Sequence, residues 1–338
     1  MKAAYHHGIR DLRVDEVNPE PVGADEVRIA VAYGAVCGSD LHVYAHGRTA
    51  VDSHEGPLPA GHEFSGRVIE TGSAVMAYRP GDRVTAIPGG PCNRCTLCRT
   101  GKQSMCRDRV SGRTGAWAES IVVPSEIVYR LPDDVSDRAG SITEPLACAI
   151  RAVDRSGLRT ADRICVVGGG PLGLLILMMA KATGARTAVV SDPSPYRRAL
   201  AERLGADLTV DPRSANLKEV LSELTEGYGP EVVFEVVGLQ ATIEQAIDLA
   251  APGGTVVIAG VADQDALVQV SPAGVFYREL TIRGTKGITH GMDRALRWLG
   301  AMDVEPLLTH TFPLARAADA VELSLTGGCG KVLIQVRQ

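Results

Sequence analysis

ICVVGGGPLGLLILMMAKATG, residues 164–184, joins an apolar β-branched run, a glycine-rich turn and an apolar helical run without a break. The turn reads Gly168-x-Gly170-x-x-Gly173, with Leu172 inside it. In this pattern the first glycine permits a tight turn, the second lets backbone approach a pyrophosphate, and the third lets helix pack on strand. The helix N-terminus then offers free N–H groups and a positive dipole end to phosphates. The motif alone is weak evidence, but here it has its strand–turn–helix setting. It also has Asp192, at the end of the next apolar run, nineteen residues after Gly173. A carboxylate there bonds the adenosine ribose of NAD and repels the 2′-phosphate of NADP. Arg197, five residues on, could neutralise such a phosphate. NAD is the expected cofactor and NADP the alternative. Asp192, preceding Pro193, is equally a candidate helix N-cap.

From about residue 160 onward, runs such as RICVVG, TAVVSD, EVVFEVVG and GTVVIAGV alternate with helical stretches at 195–204 and 241–250. Continuous apolar strands alternating with helices predict a doubly wound parallel sheet covered on both faces. The first 150 residues differ. Short β-type runs at 26–32, 65–70, 83–87 and 120–123 are split by Gly and Pro. They predict twisted antiparallel strands with long loops. At 338 residues the chain is long enough for two domains.

Hydrophobic content of 45% allows a large core, and a net charge of -5 argues against a nucleic-acid partner. The N-terminus has no apolar signal region, and the longest apolar stretch, residues 174–180, is too short for a bilayer. A cytoplasmic location without membrane attachment is expected. Eight cysteines in such a chain point to metal before disulfides.

Cys92, Cys95, Cys98 and Cys106 form C-x2-C-x2-C-x7-C, the ligand set of a closed structural zinc site. A second, harder set is scattered. VCGSDLHVY holds Cys37, Ser39, Asp40 and His42, GHEFSG holds His62 and Glu63, and TEPLACA holds Glu144. One thiolate, one imidazole and a carboxylate with one position left open suit a catalytic zinc.

Gly61-His62-Glu63-x2-Gly66-x5-Gly72, the cysteine lobe, RPGDRV at 79–84 and the nucleotide loop together resemble the zinc-dependent medium-chain dehydrogenase/reductases, the alcohol dehydrogenase superfamily. CGSDLH, EPLA and YRELTIRGT look most like its polyol (sorbitol-type), butanediol and threonine 3-dehydrogenase branch. The resemblance spans essentially the whole length. It implies an α/β chain with a GroES-like, mainly β catalytic domain at 1–146 and 287–338. The zinc lobe falls at 88–108, and a Rossmann NAD-binding domain at 147–286. It implies two zinc ions per chain. Cys37 and His62 bind the catalytic one, with Glu63 or Glu144 bound directly or through water. By the same resemblance Asp40 orients the zinc-bound histidine, and Ser39 and His42 form a proton relay through the cofactor ribose. Asp192 and Arg197 contact the adenosine ribose, and Gly260, Val261, Ala262, Ile288 and Thr289 approach the nicotinamide half. Relatives resemble dimers or tetramers, so a homo-oligomer is expected.

The expected reaction moves a hydride between NAD and a secondary alcohol. The segment RDRVSGRT after Cys106 is shorter than is usual in that branch, and AES replaces the common AEY. Trp117 and Tyr44 are the candidate pocket-wall aromatics, with Trp117 equally suited to the core. Aromatic content of 4% favours a hydroxyl-rich substrate, a polyol, cyclitol or vicinal diol, over a bulky apolar one. L-threonine is the alternative substrate. A non-catalytic zinc module is the alternative of another class, opposed by the acidic charge and the complete ligand set.

Overall fold

The computed structural model describes residues 1–47, 56–111, 115–287 and 291–337. The chain divides into two compact units, Met1–Glu144 with Met292–Gln338, and Pro145–Gly291. The second is inserted into the first.

The first unit is built on a mixed seven-stranded sheet. Its main path runs Val128–Arg130, Arg83–Ala86, Glu63–Thr71, Glu26–Ala35, Lys331–Gln335 and Leu308–Pro313. Ser120–Pro124 also pairs Glu26–Ala35. Alternation sets these strands: Val27, Ile29 and Val31 point into the core from Glu26–Ala35. Register shifts near Arg28 and Val31 bend that strand and swing its C-terminal end toward Cys37. All pairs are antiparallel except Leu308–Pro313 with Lys331–Gln335, which is parallel. The expected runs at 26–32, 65–70, 83–87 and 120–123 are all strands, each with slightly different ends. A core cluster of Ala4, Tyr44, Trp117, Leu314, Val321 and Ile334 lies alongside.

The second unit is a six-stranded sheet of parallel pairs. Its order is Leu208–Val210, Thr187–Ser191, Arg163–Val167, Val232–Glu235, Thr255–Ile258, Thr281–Gly284. The first strand in sequence is therefore central, and the order reverses between it and Val232–Glu235. In open α/β sheets, ligands bind outside the carboxyl ends of strands at such a reversal. Helices Pro171–Thr183, Pro195–Arg203 and Gln240–Leu249 form where the helical periodicity predicts them. Leu174 to Ala180 are all buried, which accounts for that helix being apolar all round.

Candidate active site

Three neighbouring strands of the first unit deliver one cluster of side chains. Cys37 follows Glu26–Ala35, His62 immediately precedes Glu63–Thr71, and Glu63 pairs with Ala35 in register. On the other flank, the Val36 N–H donates to the Val332 carbonyl at 3.0 Å, which brings Lys331 beside Cys37. Cys37 is also the N-cap of the helix Gly38–His46.

One ligand atom each from Cys37, His62 and Glu63 lies within 4.8 Å of the others. Asp40 organises the group. Its Oδ2 accepts the Cys37 backbone N–H at 2.9 Å, and its Oδ1 lies 3.8 Å from His62 Nδ1. A carboxylate beside one imidazole nitrogen is the arrangement that orients a metal-binding histidine. Burial alone would lower the pKa of His62. The negative field of Cys37, Asp40 and Glu144 overrides it and holds the imidazole well above its ordinary value. Glu63 is completely buried, and its Oε1 has no hydrogen-bond partner. An anionic pocket with a soft sulfur, an imidazole nitrogen and an unsatisfied buried oxygen fits a zinc-type divalent cation.

Glu144 opens the helix Thr143–Ser156 and is half-buried. It acts on His62, Glu63 and Lys331 through its charge but is outside the 4.8 Å cluster. Ser39 and His42 are both exposed on the Gly38–His46 helix, and the His42 ring lies 5.0 Å from His46. Sequence reasoning gave His46 no role, although helical spacing of four residues places it next to His42. Trp117 and Tyr44 are not exposed wall residues. Trp117 is fully buried, with its Nε1 donating to the Ala35 carbonyl at 3.3 Å, and Tyr44 is buried with its hydroxyl on Glu322 at 2.8 Å. Their polar atoms found partners in the core, and that fixed them there.

Lys331 was missed by sequence reasoning. It is 2% exposed and its Nζ lies 2.5 Å from Glu63 Oε2. A lysine opening the apolar run KVLIQV was the available signal, since a buried charge requires a partner. Burial would lower its pKa, but Glu63 and Cys37 hold the ammonium above its ordinary range.

The cysteine lobe is separate. Gly89–Gly90 pairs with Val110–Ser111 below it, and a short helix Thr96–Arg99 carries Cys98. All four sulfurs lie within 4.8 Å of one another. Cys92 to Cys98 and Cys95 to Cys106 are both 3.9 Å apart, far beyond a disulfide bond. Four sulfurs about 2.3 Å from a zinc stand about 3.8 Å apart at the corners of a tetrahedron. Residues 112–114 of the segment after Cys106 lie outside the described residues.

In the second unit the glycine turn sits at the strand reversal. Val236 N–H donates to the Val167 carbonyl, so the two central strand ends are tied together just before Gly168. A Cβ at Gly173 would stand 1.9 Å from the Gly168 carbonyl oxygen, so the helix could not approach with any other residue. Above Gly170, by contrast, a Cβ would meet only Arg197 Nη1 at 3.9 Å, which leaves the space a pyrophosphate needs. Leu172 is half-buried in the first turn of that helix. Asp192 is buried. Its Oδ2 accepts from Gly169 N–H at 2.9 Å and its Oδ1 from Ser194 N–H at 2.7 Å. The helix N-cap is Ser194, not Asp192, because the helix starts at Pro195. Arg197 Nη1 stands 3.9 Å from Asp192 Oδ2. Arg198 donates to the Asp192 carbonyl and pairs with Asp211.

Gly260, Val261 and Ala262 follow the strand Thr255–Ile258, with Val261 94% exposed and the other two half-buried. The Gly260 N–H donates to the Glu235 carbonyl at 3.0 Å. Glu235, unremarked in the sequence, is a buried carboxylate whose Oε1 accepts from Val237 N–H, Gly238 N–H and Thr242 Oγ1. It fixes the loop beside the glycine turn. Ile288 and Thr289 lie outside the described residues.

The alcohol dehydrogenase GroES-like domain family matches residues 23–133, and the zinc-binding dehydrogenase family matches residues 171–301. The chain is 33% identical to an L-threonine 3-dehydrogenase of Caldanaerobacter subterraneus subsp. tengcongensis, over 98% of this chain and 96% of that one. It is 34% identical to a sorbitol dehydrogenase of Gallus gallus, again over 98% and 96%. Its fold superposes with a TM-score of 0.91 on a zinc-binding dehydrogenase from Sinorhizobium meliloti 1021 bound to NADP, 33% identical, covering 99% of each chain. With both family matches in place and relatives aligned end to end, this chain belongs to the zinc-binding, medium-chain alcohol dehydrogenase family.

Proposed function

We infer that the protein is a zinc- and NAD-dependent dehydrogenase of a hydroxyl-rich secondary alcohol: a polyol, cyclitol or vicinal diol. The observation that carries this is the meeting of Cys37, His62 and Glu63 donor atoms within 4.8 Å at one end of the first unit's sheet. In this reading Cys37 and His62, with Glu63 or Glu144, hold a catalytic zinc. Cys92, Cys95, Cys98 and Cys106 hold a structural one, so the complement is two ions per chain. When bound, zinc supplies a Lewis acid that lowers the pKa of an alcohol hydroxyl, and NAD supplies the hydride acceptor. The chain's own residues manage the proton and the geometry. Ser39, two residues from Cys37, accepts the hydroxyl proton, and exposed His42 releases it to solvent. Asp40 keeps His62 Nε2 turned to the metal. Asp192 and Arg197 take the adenosine ribose, while Gly168, Gly170, Leu172 and Gly173 form the phosphate turn. Gly260, Val261 and Ala262 line the nicotinamide half. A secondary alcohol and NAD⁺ give a ketone, NADH and a proton.

A polyol is favoured because Trp117 and Tyr44 are committed to the core and the chain has only four phenylalanines. L-threonine is the second reading, supported by 33% identity to a threonine 3-dehydrogenase over nearly the full chain. The protein works as a homo-oligomer. Support comes from the edge strand Thr281–Gly284 and the exposed Phe276, Tyr277 and Leu267 near it in sequence, at 75%, 81% and 81%. It is placed in the cytoplasm, which agrees with the eight free cysteines. A panel of sugar alcohols, cyclitols, vicinal diols and L-threonine, each with NAD and NADP, tests the reading by NADH or NADPH absorbance. Turnover of a polyol, cyclitol or diol with NAD is expected. Turnover of threonine alone would select the second reading. Activity that survives Cys37→Ser would remove the metal assignment.

A further inference from the structure

Glu63 stands at the meeting point of two cations. One of its oxygens, Oε2, lies 2.5 Å from Lys331 Nζ, and both side chains are buried, Glu63 at 0% exposure and Lys331 at 2%. The other oxygen, Oε1, has no hydrogen-bond partner, although a ligand atom of Glu63 lies within 4.8 Å of those of Cys37 and His62. A carboxylate whose charge is already matched by a buried ammonium is a weakened metal donor. Glu144, in the first turn of the helix Thr143–Ser156, is the second carboxylate whose charge reaches Glu63 and Lys331. A buried ion pair adds little stability over an apolar pair of similar volume, so its presence calls for another reason. The backbone holds Lys331 firmly, because it starts a strand locked between Glu26–Ala35 and Leu308–Pro313.

We propose that Lys331 is a positioning residue that decides which carboxylate completes the catalytic metal's shell: it tethers Glu63 and leaves that place to Glu144. With Lys331 removed, Glu63 turns to the metal and makes Glu144 dispensable for binding it. This rests on the reading of Cys37 and His62 as metal ligands.

The test is a set of metal affinities measured by chelator competition with Co²⁺, together with the cobalt absorption spectrum. In the otherwise unaltered protein, Glu144→Gln should weaken binding about 10- to 100-fold, while Glu63→Gln should change it less than about threefold. In a Lys331→Met background, Glu144→Gln should cost less than about threefold, and the cobalt spectrum should shift. In a Glu63→Gln/Lys331→Met background the full loss should return, which assigns the rescue to Glu63. That double variant carries no unpaired buried charge, so it also controls for folding. If Lys331→Met fails to fold, Lys331→Gln carries the same comparison. An equal cost of Glu144→Gln with and without Lys331, or a large loss from Glu63→Gln alone, overturns the proposal. Retention of two metal ions by Cys37→Ser overturns the ligand reading instead, and the proposal with it.

Discussion

Gly61 precedes the metal-site histidine with φ at +80°, and a Cβ there would stand 2.3 Å from the Trp117 ring. The indole thus sets the height at which His62 leaves the backbone. Gly61→Ala should therefore cost about 3 kcal/mol, combining overpacking with left-handed strain. Urea denaturation measures it, and an unchanged midpoint would show that Trp117 yields. Asp192 carries a different load. Both of its oxygens are occupied by Gly169 and Ser194 N–H groups, while Arg197 and Arg198 stand close by. Asp192→Ser should raise the kcat/KM ratio of NADP to NAD at least about tenfold, or about 1.4 kcal/mol. Steady-state kinetics with both cofactors decides this, and an unmoved ratio would relocate the ribose contact. Asp192 stands out in the sequence because a carboxylate after the second strand of such a sheet has an expected task. Lys331 was not, since its partner Glu63 is far away in sequence and only the strand order brings them together.

Among elements, the convergence of the four lobe cysteines was legible because they lie within one short segment and need no tertiary information. Its chemistry is uneven, however. Backbone N–H groups of Arg94 and Cys95 pull the Cys92 thiol down to about 6, whereas burial pushes Cys98 up to about 12. Zinc binding must displace whatever protons the sulfurs hold. At neutral pH Cys92 is already ionised and Cys98 is not. Below about 6 a proton on Cys92 must be displaced as well. Affinity of the lobe should consequently fall as pH falls, more steeply below that value. Chelator competition between about pH 5 and 8 measures it. A flat profile would mean that the metal does not replace thiol protons. The cluster of Cys37, His62 and Glu63 was legible from its residue types only when they were taken together, and the resemblance supplied the individual roles. Its residues are spread across two strand ends and a helix start, and each alone suits a core or surface position equally well.

At the level of the whole molecule, zinc analysis should give about two ions per chain, four sulfurs at one site and a mixed set at the other. A value near one removes one site. The oligomer should show in sedimentation, with a melting temperature that rises with protein concentration. A monomer at all concentrations would contradict the proposed assembly.

The insertion of one unit into the other also has a consequence during synthesis. The parallel sheet is made of one uninterrupted stretch and can be finished while the ribosome is still working. The sheet bearing Cys37 and His62 cannot. Its strand Lys331–Gln335 sits between Glu26–Ala35 and Leu308–Pro313 yet is translated only after the whole inserted unit. The emerging chain must therefore hold Glu26–Ala35 with one edge open for about 300 residues of translation, at roughly 5–20 residues per second. A premature stop at Lys331 would remove an inner strand and the ammonium beside Glu63 in one stroke, and would leave a finished parallel sheet joined to an unfinished cluster around Cys37 and His62.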